Sequence, residues 1–198
     1  MRLVQRGRLK ILDFDVECLP GHWIAADYVS KIVTAVGWKW IVPRSRVHSL
    51  THYDASPEVL AETLAQRIAE ADVVVGHYIR AFDLPLLNGN LMRAGLEPLE
   101  PVFAQDTKLD LTKSHGRSLS QRNLAAMVGC RKPKVDVSLY EWEEFNLKVD
   151  GFRERGVERV EGDVLQNVEM RERLLELGWL GSPRVWDGRP RGGKGYRP

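Results

Sequence analysis

The chain has 198 residues, a formal net charge of +2, 43% hydrophobic and 28% charged residues, the profile of an ordinary globular protein of one sizeable domain or two small ones. No apolar run approaches the ~18 residues of a membrane span, and the basic stretch Met1–Arg8 leads into no apolar segment, so neither a membrane helix nor a secretory signal is expected. Only Cys18 and Cys130 are present, which argues against a disulfide scaffold and for a reducing cytoplasm.

In chain order, Leu9 to Cys18 reads as the first strand. Its side chains alternate: Leu12, Phe14, Val16 and Cys18 fall on one face, and Ile11, Asp13, Asp15 and Glu17 on the other. Three carboxylates within five residues repel one another unless a cation or solvent offsets them. The face is therefore either a solvated edge or a place for a hard divalent ion, which prefers oxygen ligands. Leu19-Pro20-Gly21 ends the strand. Tyr28 to Trp40 and its continuation predict two further strands, Ile32–Val36 and Trp38–Val42, with Gly37 marking a turn or bulge between them. Short connections make these three an antiparallel meander. Pro43 to Tyr53 is expected to be a loop.

Ser56-Pro57-Glu58 opens a helix, with a Ser cap, Pro at the first helical position and an early acid; the helix runs to about Ala71. Asp72–Gly76 is apolar nearly throughout, as a strand buried on both faces would be. A second helix is predicted over Phe82–Ala94, with Leu84, Leu87, Leu91 and Met92 inward and Gly95 as its stop. Val102–Gln105 is a fifth strand ending at Asp106-Thr107. A helix from Ser118 carries Leu119, Leu124 and Met127 and stops at Gly129. Arg131–Val149 has no regular pattern, and Val160–Leu177 is a last long helix. Gly178–Pro198 is rich in Gly, Pro and Arg and is expected to lack regular structure. Within it, residues 182–198 carry five basic groups and one acid, a charge of +4, against −2 for the rest. That tail is either an electrostatic tether for a polyanion or a solubilising end.

Two further acids stand out. Asp83 begins the helix after the buried strand, and Asp163 sits near the start of the last helix as predicted. Each alone would be an ordinary helix-terminus charge. Taken together, the order of Phe14-Asp15-Val16-Glu17, then Gly76-His77 through Phe82-Asp83-Leu84-Pro85-Leu86-Leu87, then Asp163-Val164 resembles the three motifs of DEDD-type 3′–5′ exonucleases. These form the DnaQ-like branch of the ribonuclease-H-like superfamily. Asp106-Thr107 and Ser118-Leu119 also sit where such proteins have them, and the resemblance covers residues 9–178.

The resemblance implies an α/β, ribonuclease-H-like fold: a five-stranded mixed sheet, three strands antiparallel and two parallel, flanked by helices. It implies an exonuclease domain over 1–181 followed by the flexible tail at 182–198. It also implies two Mg²⁺ or Mn²⁺ ions held by Asp15, Glu17, Asp83 and Asp163, with Asp15 bridging both. The reaction would be hydrolysis at the 3′ end of a nucleic acid, DNA ahead of RNA, which agrees with four carboxylates balancing two divalent ions. Asp13 would be a buried hydrogen-bonding acid and Asp106 a cap. A replication or repair protein is an expected partner class that the sequence does not identify.

Three positions depart from the family pattern. Glu158 and Arg159 stand where members have a His or Tyr that orients the attacking water. Tyr78 replaces a common Asn and is suited to stacking on a base or sugar. Tyr140–Phe145 is acidic and aromatic, with no assigned role. Tyr78, Arg159 and Trp23 are the candidate substrate contacts. Two alternatives stay open: a nucleic-acid-binding module with weak or absent catalysis, and an exonuclease directed at RNA. The five histidines have no metal-ligand spacing, and no phosphate-binding Gly-Lys-Ser/Thr loop or nucleophile elbow is present.

Overall fold

The alternation of the first strand decides the layering of the molecule. In the computed structural model, which describes residues 9–19, 31–111 and 120–189, β1 (Ile11–Cys18) lies in the middle of a sheet. Leu12, Phe14 and Val16 are buried on one face against Leu60 and Leu64 of α1 (Pro57–Ala69) and Leu84 and Leu87 of α2 (Asp83–Arg93). The acidic face of β1 lies under a helix that the remaining elements position.

Those elements are β2 (Val33–Trp40), β3 (Val47–Thr51), β4 (Val73–Gly76), β5 (Val102–Asp106), α3 (Gln121–Met127), α4 (Leu139–Asn146), α5 (Arg153–Glu176) and β6 (Arg184–Trp186). The sheet order is β3-β2-β1-β4-β5-β6. β1, β2 and β3 pair antiparallel, β1, β4 and β5 pair parallel, and β6 pairs antiparallel with β5. With helices on both faces, this is a ribonuclease-H-like α/β fold. Among the described residues no helix is long and apolar enough to cross a membrane.

Local signals account for several boundaries. Ser56 caps α1 by accepting from the Val59 amide, and Pro57 takes the first helical position. All four residues of β4 are buried, as expected between two parallel neighbours. Gly95 closes α2 with a φ of +70°, a conformation that costs glycine nothing.

Elsewhere the structure corrects the sequence reading. Ile32–Val36 and Trp38–Val42 are not two strands: β2 runs unbroken through Gly37, which pairs with Asp15 of β1. A Cβ on Gly37 would lie 2.9 Å from Val160 Cγ2. This glycine therefore lets a helix approach the sheet and does not turn the chain. The register slip lies instead between Glu17 and Cys18. The third strand, β3, falls in the stretch expected to be a loop.

Arg131–Val149 contains α4, which has a complete capping box: the Ser138 side chain accepts from Glu141 N while the Glu141 side chain accepts from Ser138 N. Its Phe145 is fully buried, stacks on His52 at 4.8 Å, and accepts from His52 Nε2 through its carbonyl. This gives the aromatic segment 140–145 a structural role over β2 and β3. Met92, expected inward, is exposed.

The sheet has six strands and not five. Arg184-Val185-Trp186, assigned to a flexible tail from its Gly/Pro/Arg-rich surroundings, closes the free edge of β5, and Trp186 Nε1 donates to the Arg80 carbonyl at 3.1 Å. An unpaired edge would leave a row of backbone donors and acceptors open.

Candidate metal centre at the carboxyl ends of the parallel strands

Ligand sites in open α/β sheets gather at the carboxyl ends of the strands. Here β1 contributes Asp15 and Glu17, the turn after β4 leads to Asp83, and β5 ends at Asp106. Asp163 arrives from the long helix packed on the sheet. α5 begins at Arg153, well before the predicted Val160, so Asp163 lies about three turns into the helix and not in its first turns. It is therefore presented by a helix face, and the terminal dipole has no part in placing it.

Asp15, Glu17 and Asp163 offer ligand oxygens that all lie within 4.8 Å of one another. Asp83 lines the same cleft, which has a volume of about 260 Å³ and also holds His77, Tyr78, Lys108, Gln121, Lys134 and Arg159. Asp83 is the first residue of α2, and its Oδ1 accepts from Val16 N at 3.0 Å, which ties α2 to the centre of β1.

The electrostatics are those of crowded acids. Burial, followed by the like charges of Asp163, Glu17 and Asp83, pushes the Asp15 carboxyl well above the usual range. Burial raises Glu17 against the opposing pull of Arg159. Burial likewise pushes Asp83 up to about 8, although the Val16 amide favours its charged form. Asp163 Oδ1 is buried and has no hydrogen-bond partner, an arrangement that costs free energy until a ligand satisfies it. A hard cation with oxygen preference fits this set of donors.

Two side chains already bring positive charge. Arg159 Nε lies 3.0 Å from Glu17 Oε1 and 3.3 Å from Asp163 Oδ2, and its Nη1 donates to the Val135 carbonyl at 2.8 Å. Lys134 Nζ lies 2.7 Å from Asp163 Oδ2. Sequence reading singled out Arg159 but not Lys134. Lys134 sits in the stretch that shows no periodicity, and no spacing rule marks it.

Tyr78 lines the cleft with a φ of +73°, uncommon for a bulky residue and a sign of local strain. Asp106 holds it there. The buried Asp106 carboxylate accepts from Tyr78 N, Arg80 N, Lys108 N and Leu109 N, and so acts as a cap for two turns. The Lys108 ammonium sits 3.9 Å from the centre of the Tyr78 ring. Asp13 is wholly buried and bonded to Asn167 on α5. Trp23 and the Ser118-Leu119 pair lie outside the described residues. A larger groove of about 420 Å³ between α1 and residues 96–102 is lined mostly by apolar side chains, with Glu62, Gln66, Glu97 and Glu100 among them.

No protein-family model matches the sequence, and no curated protein matches it. Among solved structures, the chain is similar to the family B DNA polymerase from the hyperthermophilic archaeon Pyrobaculum calidifontis, with a TM-score of 0.67 and 18% identity over 85% of this chain and 25% of that one. The chain thus spans a quarter of the polymerase's length, and the likeness is one of fold.

Proposed function

We propose that this chain is a divalent-metal-dependent nuclease of the DEDD type that hydrolyses phosphodiester bonds from the 3′ end of a nucleic acid. One observation carries the reading: three carboxylates from β1 and the middle of α5 converge to within 4.8 Å, with Asp83 lining the same cleft. Asp15, Glu17 and Asp163 would hold Mg²⁺ or Mn²⁺. The ion would supply charge to the phosphoryl oxygens and lower the pKa of an attacking water. The chain's own residues do the rest. Asp83 anchors α2 to β1, Tyr78 offers a ring for the terminal base or sugar, and Lys108 adds positive charge toward the backbone of the strand. Likeness to a DNA polymerase favours DNA over RNA.

A second reading has one specific observation in its favour. Arg159 and Lys134 compete with a metal for Glu17 and Asp163, which suits a module that binds nucleic acid with little or no catalysis. Incubating oligonucleotides labelled and blocked at either end, as DNA and as RNA, with Mg²⁺ or Mn²⁺ separates the two. Shortening from the 3′ end that vanishes in Asp15→Asn supports the nuclease. Binding without shortening in both metals supports the module.

A further inference from the structure

We propose that this centre takes one divalent cation, with Arg159 and Lys134 providing the positive charge that the family resemblance assigns to a second ion. The proposal rests on the metal-dependent reading above. Charge balance is the first argument. Once a bound cation has displaced the protons that burial favours, Asp15, Glu17, Asp83 and Asp163 carry four negative charges, and two are matched by the guanidinium of Arg159 and the ammonium of Lys134. What remains balances one divalent ion.

Position is the second argument. Arg159 Nε lies 3.0 Å from Glu17 and 3.3 Å from Asp163, bridging two of the three carboxylates that could coordinate a metal. Asp163 Oδ2 is also held by Lys134. The free acceptor on that residue is the buried Oδ1, one oxygen for one ion. A second ion beside Arg159 would meet a fixed like charge at close range in a poorly screened site.

The third argument is that both cations are delivered from anchored positions. Arg159 is pinned through Nη1 to the Val135 carbonyl. The segment that carries Lys134 is strapped to α5: Glu169 accepts from the amides of Arg131 and Lys132, and Gln166 Nε2 donates to the Lys132 carbonyl. Val135 also sits against Gly162, where an added Cβ would come within 2.5 Å of Val135 Cγ2. The strap therefore fixes the backbone that carries Lys134 and keeps its ammonium within reach of Asp163.

Bound Mn²⁺ can be counted by electron paramagnetic resonance, on the protein alone and with a saturating single-stranded oligonucleotide whose terminal linkage is a phosphorothioate. The expected result is one ion per chain in both states for the wild type, and two for the folded double variant Arg159→Leu/Lys134→Met. The single variant Lys134→Gln, which keeps Arg159 and its anchor, is expected to stay at one ion with tighter binding. Two ions on the wild type would overturn the proposal and leave the nuclease reading intact. One ion on both the wild type and a folded double variant would overturn the role given to Arg159 and Lys134. No bound Mn²⁺ at millimolar concentration would overturn the metal-dependent reading and the proposal with it. Should the double variant fail to fold, Lys134→Gln with unchanged Mn²⁺ affinity would overturn the role of Lys134.

Discussion

Asn167 donates from its side-chain amide to Asp13 Oδ2 at 2.7 Å, joining the middle of α5 to the buried acidic face of β1. Asn167 Oδ1 accepts in turn from the Thr107 hydroxyl at 2.8 Å, which brings the end of β5 into the same bond chain. Asn167 and Asp163 are four residues apart and share a helix face. The bond that seats α5 on the sheet therefore also sets where Asp163 meets Asp15 and Glu17. Asp13, whose carboxyl burial raises well above the usual range while Asn167 opposes it, holds the site from behind.

Replacing Asn167 with Leu should uncouple that placement. The Asp13 carboxyl would lose its partner in the interior, which typically costs ~1–3 kcal/mol. Urea denaturation should show that loss. The rise in melting temperature on adding Mn²⁺ should also shrink, because the ligand set is displaced. An unchanged Mn²⁺ response in a folded Asn167→Leu protein would mean that α5 is positioned by its apolar contacts alone.

The metal-free protein should lose stability as pH rises. Asp83 has a folded pKa of about 8 against an ordinary 3.8, so between these values the native state binds a proton that the unfolded chain releases. Stability from this group is complete below the unfolded value and declines as pH climbs through the folded one. His52, lowered by burial, acts in the opposite sense as pH falls below its ordinary 6.5. The informative quantity is thus the difference between wild type and Asp83→Asn in EDTA. From about pH 5 to about pH 8 the wild type should lose more melting temperature than the variant. Parallel curves would show that Asp83 is already ionised in the native protein.

Gly37→Ala should affect both the fold and the site. The added methyl would lie 2.9 Å from Val160 Cγ2 and 3.2 Å from the Val160 carbonyl oxygen, and the second of these is backbone that cannot rotate away. Overpacking of this kind typically costs ~1–3 kcal/mol. α5 would have to lift near Val160, one turn before Asp163, so Mn²⁺ affinity should fall as well. Full stability in Gly37→Ala would show that β2 and α5 are less tightly apposed than described.

Removing residues 182–198 should destabilise the domain as well as strip charge from it. β6 closes the edge of β5, Trp186 packs against the main core, and Arg184 lies 3.6 Å from Asp110. Loss of Trp186 alone is worth ~3–5 kcal/mol if its burial is typical of core aromatics, and less for its partial exposure. Trp186→Ala should therefore lower the denaturation midpoint without altering the salt dependence of oligonucleotide binding. A truncated protein with wild-type stability would return residues 184–186 to the flexible tail.

Much of the fold was legible because its signals are local. Alternation sorted β1 into an apolar and an acidic face, an uninterrupted apolar run marked β4 as central, and Ser56-Pro57 and Gly95 marked helix ends, since each depends only on the geometry of a few adjacent residues. The capping box Ser138-Leu139-Tyr140-Glu141 was a local signal of the same kind and is enough to predict α4. Asp15, Glu17, Asp83 and Asp163 could be named from their order and motifs, and the structure brings all four to one cleft. Only tertiary packing decided the rest. Gly37 is read as a turn in isolation, and its use as a contact for Val160 depends on a helix more than a hundred residues away. The strand at Arg184–Trp186 exists because β5 leaves an edge to pair. Arg159 and Lys134 take their places because α5 and the strap laid along it deliver them to Glu17 and Asp163, and the charge at a point in space depends on which chain segments meet there.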